Sequence, residues 1–240
     1  VDMQDADILD ATGLVVTPGL IDMHVHLRQP GQSAKETIES GTKAAAAGGF
    51  TRVATMPNTK PVIDSAIIVD GLKYKIAAEG VVKVDIIGSL SKGLEGKELS
   101  SMGGMAKAGV VAFSDDGRYV QNCDFMRKAM EYAGMFGKIV IDHCEDADLI
   151  EGGHMHEGVV SHELGLKGRP AVAEDIAVAR DILLAEATGT AVHIAHISTK
   201  NAVQMVRQAK AKGLKVTAEA TPQHMILTDE ALRSYDPRFK

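Results

Sequence analysis

Residues 19–31 read GLIDMHVHLRQPG, an apolar run that ends in two histidines separated by one valine. His24, His26 and Arg28 share one face of the strand that this run predicts, because side chains alternate along a strand. A chance pair of polar residues at a strand end would give the same pattern. This stretch alone therefore does not establish a metal site, and residues elsewhere in the chain are needed to decide whether the histidines are metal ligands.

Six further apolar runs follow the first one and alternate with helix-like stretches. The seven runs cover residues 20–27, 51–57, 84–90, 109–116, 138–146, 190–198 and 215–222. Near-continuous apolar strands that alternate with helices are typical of parallel βαβ units buried on both faces. The sequence therefore predicts an α/β fold, a TIM-type (β/α)₈ barrel of which about seven βα units are present.

The barrel domain is predicted to span residues 17–240 and to lack its last unit, because no eighth run precedes Lys240. The chain also begins without a methionine, so we expect it to be incomplete at both ends. The longest connection, residues 147–170, carries the segment EGGHMHEG. Its length predicts a functional loop at the active face rather than a spacer.

Composition excludes several classes of protein. The net charge of −6 argues against a nucleic-acid-binding protein, which needs a basic surface to neutralise phosphates. No apolar run approaches the roughly 18–20 residues of a membrane span. Two cysteines, Cys123 and Cys144, do not make a disulfide framework. We expect a cytoplasmic protein with neither a nucleic-acid nor a membrane partner.

Polar residues recur at the carboxyl ends of the later runs, where α/β barrels carry their active sites. Asn58 follows the second run, Asp115 and Asp116 end the fourth, and His143 and His196 lie in the fifth and sixth. Strand alternation alone does not choose between the two aspartates. Four imidazoles and a carboxylate suit Zn²⁺ or a similar divalent ion, and so many ligands favour two ions over one. The pattern predicts a metal-dependent hydrolase.

Arg28 indicates the kind of substrate. Arginine binds a carboxylate through a planar, bidentate fork, and Arg28 lies one pleat beyond two candidate ligands. The arrangement predicts that an anionic group is held next to the reacting centre, with Asn58 as a second, neutral contact. A surface or ion-paired arginine is the alternative interpretation.

Several other residues are predicted to lie outside the site. His193 should face the helices, because it lies three positions before the candidate ligand of the same strand. Cys144 should be a core residue. His154 and His156 form a second H-x-H in a glycine-flanked loop, where a solvated or structural role is expected. His224, in TPQH, is left without a role.

Seven motifs together resemble the dihydroorotase family, in its longer bacterial form within the amidohydrolase superfamily. They are HVHLRQPG (24–31), KET (35–37), MPNTKPVIDS (56–65), FSDDG (113–117), HCED (143–146), HIAHIST (193–199) and TAEATPQH (217–224). The resemblance covers essentially the whole chain. It implies a (β/α)₈ barrel with two Zn²⁺ ions that interconverts dihydroorotate and N-carbamoyl-aspartate in pyrimidine biosynthesis.

The resemblance also implies a role for individual residues. The implied metal ligands are His24 and His26 for the first ion, His143 and His196 for the second, and Asp116 from the fourth strand. Arg28 and Asn58 match the residues that hold the substrate's carboxylate. Two departures are that Gln29 replaces a common glutamate and that TPQH replaces a more usual pair of histidines.

The family's strand-8 aspartate, a metal ligand and proton shuttle, is expected beyond Lys240, so residues 1–240 alone are expected to have little or no activity. The family also has a small β-sandwich built from both termini, and residues 1–16 are the expected remnant of it. A small-molecule substrate, a homodimer and association with aspartate transcarbamoylase complete the expectations.

Two alternative functions remain open. The first is a related cyclic amidase such as a hydantoinase or an allantoinase, in which a lysine usually stands where FSDDG has its aspartate. The second is a non-catalytic relative that acts as an assembly partner. Five intact candidate ligands argue against the second alternative, since a scaffold has no need for them.

Overall fold

Seven parallel strands form one curled sheet in the computed structural model, which describes residue 7 and residues 9–239. In chain order the strands are β1 (Leu20–Val25), β2 (Phe50–Thr55), β3 (Lys83–Gly88), β4 (Ala112–Ser114), β5 (Ile139–Asp142), β6 (Met155–His156), β7 (Gly168–Arg169), β8 (Val192–Ile194) and β9 (Val216–Ala218). The large sheet has the order β1-β2-β3-β4-β5-β8-β9, while β6 and β7 pair separately. The predicted barrel-type α/β fold is confirmed.

Helices connect successive strands of the sheet. They are α1 (Ile38–Ala47), α2 (Ala66–Glu79), α3 (Met102–Lys107), α4 (Cys123–Met135), α5 (Ala147–Ile150), α6 (Val159–Leu164), α7 (Val172–Thr188), α8 (Lys200–Ala211) and α9 (Pro222–Ile226). Short 3₁₀ helices cover Lys92–Leu94, Asp229–Ser234 and Pro237–Phe239. Side chains cap several helix starts; Thr199, for example, accepts a hydrogen bond from the backbone N–H of Ala202 at α8. Among the residues that the structure describes, no helix combines the length and the apolar character needed to cross a bilayer.

Alternate residues of β3, β4 and β5 divide between two apolar clusters. The larger cluster lies between the sheet and the helices and includes Val140 and Ile194. The smaller one fills the inside of the curled sheet with the side chains of Ala54, Met56, Ile87, Ala112, Ile141 and Ala195. Because the face of Ile141 continues to His143 two residues later, the inner cluster leads directly to the carboxyl ends of the strands.

Two predictions about chain organisation concern the start of the chain and the long connection at residues 147–170. Residues 1–6 and 8 lie outside the described residues and residues 9–19 form no strand, so the small domain predicted for residues 1–16 stays a prediction. The connection at residues 147–170 is described, and it is not irregular. It contains α5, β6, α6 and β7, of which α5 packs on β7 and β6 pairs with β7.

A buried charged network joins α7 to β5. Arg180 Nη2 lies 2.9 Å from Asp142 Oδ2 and 2.6 Å from Asp181 Oδ1, and the guanidinium carbon lies 4.3 Å from the centroid of the Tyr119 ring. Both aspartates are fully buried. Burial, together with the neighbouring Asp181 carboxylate, raises the pKa of Asp142 well above its usual value. A single guanidinium therefore balances the charge of two buried carboxyl groups.

We expect Arg180→Met to destabilise the protein by about 3–5 kcal/mol, because it leaves buried carboxylates without their cation. Urea unfolding of the wild type and the variant measures this difference. The control is Arg127→Met on α4, which removes exposed pairs with Asp124 and Glu131. Exposed pairs contribute little, so the control should change much less. Equal losses in the two variants would contradict the importance of the buried network.

Candidate metal centre

The carboxylate of Asp116 lies among four imidazole rings at the carboxyl end of the sheet. Its Oδ1 lies 3.4 Å from His24 Nε2 and 3.7 Å from His196 Nε2. His143 Nδ1 lies 3.8 Å from the same oxygen, and His26 Nε2 lies 3.4 Å from Oδ2. Asp116 is only 3% exposed. The structure thus brings together all five residues predicted as metal ligands, although their role as ligands stays a prediction.

The neighbouring aspartate has a different role. Asp115 turns away from the histidines, and its Oδ1 accepts hydrogen bonds from the backbone N–H groups of Leu90 and Ser91 at 2.8 and 3.0 Å. Burial raises the pKa of Asp115 to about 6. Strand alternation could not choose between the two aspartates, but the structure does. Asp116 faces the histidines, whereas Asp115 supports the loop that follows β3.

The ionisable groups of the cluster shift one another's pKa values. Burial on its own raises the pKa of Asp116, but the imidazoles of His196 and His24 lower it well below its usual range. Burial lowers the pKa of His24, whereas Asp116 and Glu219 raise it to about 9. The pKa of His26 is lowered, chiefly by burial. A proton on His24 therefore balances the ionised Asp116 carboxylate, and a metal ion bound by these donors would take the place of that proton.

The spacing of the donors fits a divalent metal ion. The ligand atoms of His24, Asp116 and His196 all lie within 4.8 Å of one another. Two donors that each lie about 2 Å from one Zn²⁺ ion are at most about 4 Å apart, so a small contraction would close the site. Imidazole nitrogen and carboxylate oxygen are ligands that Zn²⁺ accepts. These residues could therefore hold a metal ion.

Three of the rings present their second nitrogen to an oxygen acceptor. His24 Nδ1 lies 2.5 Å from Glu219 Oε1, and His143 Nε2 lies 3.2 Å from Glu145 Oε2. His26 Nδ1 lies 2.9 Å from Asn58 Oδ1. Metal-binding histidines usually donate their other N–H to such a group, which fixes the tautomer and the orientation of the ring.

The two predicted substrate-binding residues lie beside this cluster. Asn58 contacts His26, and its Nδ2 lies 3.5 Å from Asp116 Oδ2, so its amide is part of the centre itself. Arg28 is half-buried with a φ of +59°, and its charge acts to lower the pKa of His26. Within residues 9–239 the Arg28 guanidinium forms no ion pair. Their binding of substrate stays a prediction.

The prediction that His193 faces the helices is wrong. Its Nδ1 lies 2.7 Å from Thr217 Oγ1, and its Nε2 lies 3.3 Å from Glu219 Oε2, on the inner side of the sheet. The reason is the backbone at His196, whose φ of +35° falls in the left-handed region. The strand alternation ends before His196, so both histidines reach the inner side. Cys144 is buried in the sheet–helix core, as predicted.

Two carboxylates of the centre were missed at the level of sequence. Glu219 follows β9, and Glu145 comes two residues after His143. The signal for Glu219 was present, because it stands at the carboxyl end of the seventh run, where the other runs carry their site residues. Glu145 is in the HCED motif, but only the folded chain shows that it contacts His143.

A cavity of about 930 Å³ opens beside the centre. His143 and His196 line its inner side, whereas His154, His156 and His224 line the outer side. The second H-x-H is exposed, in agreement with a solvated segment, but it stands at the mouth of this cavity rather than apart from it. The unit formed by residues 147–170 therefore supplies one wall of the cavity.

Comparisons with known proteins identify the family of this chain. Residues 13–202 match the family model described as Dihydro-orotase-like. The chain belongs to this family. Among curated dihydroorotases, the one from Pelotomaculum thermopropionicum is 57% identical over 98% of this chain and 55% of the relative. The one from Geobacter metallireducens is 55% identical over the same shares of the two chains, 98% and 55%. This dihydro-orotase-like chain thus spans about half the length of the curated relatives it matches.

Solved structures show the same fold at lower identity. L-Hydantoinase (dihydropyrimidinase) from Arthrobacter aurescens is 21% identical, with a TM-score of 0.83 over 100% of this chain and 55% of its own. Dihydropyrimidinase from Brevibacillus agri is 24% identical, with a TM-score of 0.75 over 99% of this chain and 54% of its own. These likenesses support the barrel-type fold of this dihydro-orotase-like chain. The family resemblance read from the motifs is confirmed.

We expect Asp116→Asn to weaken Zn²⁺ binding by at least about 100-fold, since the loss of a ligand should exceed the loss of an outer hydrogen-bond partner. Competition of the metal-free protein with a chromophoric chelator measures the affinity. The matched control is Asp115→Asn, which keeps an oxygen acceptor for the N–H groups of Leu90 and Ser91. If both variants bound Zn²⁺ equally well, Asp116 would not be a ligand.

We expect the Zn²⁺ affinity to fall as the pH is lowered from 8 to 6. The raised pKa of His24, about 9, means that this ring carries a proton that the metal must displace. One displaced proton changes the affinity by about tenfold per pH unit. The same competition assay at three pH values measures the slope, and a pH-independent affinity would contradict coordination by His24.

Proposed function

We propose that this protein is a zinc-dependent dihydroorotase, which catalyses the reversible hydrolysis of (S)-dihydroorotate to N-carbamoyl-L-aspartate in pyrimidine biosynthesis. The observation that carries the proposal is the ionised Asp116 carboxylate among four imidazoles, with Arg28 beside them. The names of the curated relatives at 50–57% identity support the same activity.

Two Zn²⁺ ions are proposed for the centre. His24 and His26 would hold the first ion, and His143 and His196 the second, as the family resemblance implies, with Asp116 as a further, carboxylate ligand. The support for five ligands is that both oxygens of Asp116 face imidazole nitrogens, with Oδ2 toward His26 and Oδ1 toward the other three rings. When bound, these ions would supply Lewis acidity toward the ring amide carbonyl and would acidify a water molecule.

The chain's own residues bind and orient the substrate. Arg28 would hold the carboxylate of dihydroorotate in a bidentate fork, which a free guanidinium next to the centre can do. Asn58 would fix the ring of His26 and present its amide N–H toward the same side. Such positioning lowers the barrier because it places the amide carbon in line with the attacking oxygen. The leaving nitrogen also takes up a proton, for which the family resemblance implies a strand-8 aspartate.

A cyclic amidase of the hydantoinase type is the second candidate, and the likeness of fold is what favours it. The identities separate the two candidates, since the named dihydroorotases are 50–57% identical and the hydantoinase structures 21–26%. The non-catalytic alternative is less well supported, because the cluster around Asp116 is intact. A cytoplasmic location, a homodimer and association with aspartate transcarbamoylase stay predictions.

We expect Arg28→Met to raise the Kd for dihydroorotate about 10- to 100-fold, because charged hydrogen bonds contribute about 1.5–3 kcal/mol. Titration calorimetry of the Zn²⁺-loaded protein with dihydroorotate measures the change. Arg207→Met is the control, since Arg207 on α8 is exposed and bonds to Gln204. An unchanged Kd in Arg28→Met would show that Arg28 does not bind the substrate's carboxylate. Tighter binding of hydantoin than of dihydroorotate by the wild type would favour the second candidate.

A further inference from the structure

We propose that Glu219 is a positioning residue for the metal centre, whose carboxylate holds His24 in the tautomer and orientation that direct Nε2 toward Asp116. This inference rests on the proposed metal-dependent function and deepens it. It concerns a residue that touches one candidate ligand and does not itself face the centre of the cluster.

The Glu219 carboxylate connects three parts of the site. Its Oε1 lies 2.5 Å from His24 Nδ1 on β1 and 3.4 Å from the backbone nitrogen of His196. Its Oε2 lies 3.3 Å from His193 Nε2 on β8. The side chain is 20% exposed, so water competes little for these oxygens. One carboxylate thus links the two end strands of the sheet, β1 and β9, through side chains.

The backbone fixes where this carboxylate stands. The N–H of Glu219 donates to the carbonyl of Ile194 at 3.1 Å, and its carbonyl accepts from the N–H of Ile197 at 2.8 Å. Both bonds tie the residue to the segment that carries His196. The position of the carboxylate relative to the two histidines therefore follows from main-chain pairing and not from a flexible loop.

The chemistry of the acceptor selects the tautomer of His24. An ionised carboxylate only accepts hydrogen bonds, so His24 Nδ1 must carry the proton. The lone pair of a neutral ring then lies on Nε2, which is 3.4 Å from Asp116 Oδ1. A carboxylate in this position also increases the basicity of the ligating nitrogen. Glu219 therefore prepares His24 to bind a cation.

His193 lies next to the second oxygen of Glu219, at ion-pair distance but without hydrogen-bond geometry. Its Nδ1 lies 2.7 Å from Thr217 Oγ1, which leaves Nε2 to face Glu219 Oε2. The chain of contacts runs from Thr217 through His193 and Glu219 to His24. It gives His193, which the sequence placed among the helices, a function inside the sheet.

Glu219 differs from the acceptors of the other rings. His26 faces the neutral amide of Asn58, and His143 faces Glu145, whose charge is shared with Arg169 at 2.9 Å. Within the described part of the chain, Glu219 forms no ion pair with a lysine or an arginine. Its negative charge acts on histidines alone, so its removal should affect the metal centre more than a surface carboxylate would.

The test compares Zn²⁺ affinities of metal-free wild type, Glu219→Ala and Glu219→Gln by competition with a chromophoric chelator. We expect Glu219→Ala to bind about 10- to 100-fold more weakly, as for other partners of metal-bound histidines. Glu219→Gln keeps an acceptor oxygen for His24 but no charge, so its loss should be smaller, about threefold to tenfold. The absorption spectrum of the Co²⁺-loaded alanine variant should also shift, because the geometry at His24 changes.

The control for a merely structural role is Glu174→Ala. The Glu174 carboxylate accepts hydrogen bonds from the backbone N–H groups of Ser198 and Thr199 at 2.9 Å and contacts no histidine of the cluster. Its loss should lower the unfolding midpoint while the Zn²⁺ affinity stays within about twofold of wild type. Equal losses of affinity in Glu174→Ala and Glu219→Ala would overturn the proposal.

The outcomes separate this inference from the proposed function. If the wild type itself binds no Zn²⁺, the proposed metal-dependent function fails. If the wild type binds Zn²⁺ and both Glu219 variants match its affinity, only the positioning role is overturned. Should Glu219→Ala not fold, Glu219→Gln decides: wild-type affinity overturns the role, and a loss of threefold or more supports it.

Discussion

A single buried carboxylate, that of Asp116, faces imidazole rings that arrive from β1, β5 and β8. Burying a charge is unfavourable unless partners surround it, and here the partners come from strands that are not all neighbours in the sheet. The contacts form only if these strands end at the same level. The strand register, such as the pairing of Ile141 with His193, therefore both builds the sheet and sets the geometry of the centre. The outer acceptors, Glu219 among them, complete the constraint by fixing the rings.

Much of this fold could be predicted from the period of the apolar runs. All seven strands of the large sheet fall within the predicted runs or one residue outside them, because a strand buried on both faces needs an unbroken apolar sequence. The small β6–β7 sheet could not be predicted. Its strands have two residues each and lie in glycine-rich sequence, where no alternation can be read. Whether two such short segments pair as strands depends on the rest of the protein, against which they pack.

The site residues that could be predicted are those whose position along a strand determines the direction of the side chain. His24 and His26 alternate as expected, and His143 and His196 stand at strand ends. Prediction failed where the backbone leaves the extended conformation: the positive φ of His196 turns that ring to the inside, where His193 already lies by strand alternation. It also failed for Glu219, whose partners lie 195 positions away at His24 and at a histidine predicted to face elsewhere. The seventh run indicates that Glu219 stands near the end of a strand, but it does not identify these two partners.

Two different parts of the chain form the walls of the cavity beside the centre. Strand ends carry the candidate ligands, whereas residues 147–170 and α9 carry the outer histidines. Segments outside the barrel strands tolerate insertion and substitution better than the strands do. The outer wall can therefore change during evolution by insertion or substitution, while the strand ends keep the candidate ligands in the same arrangement.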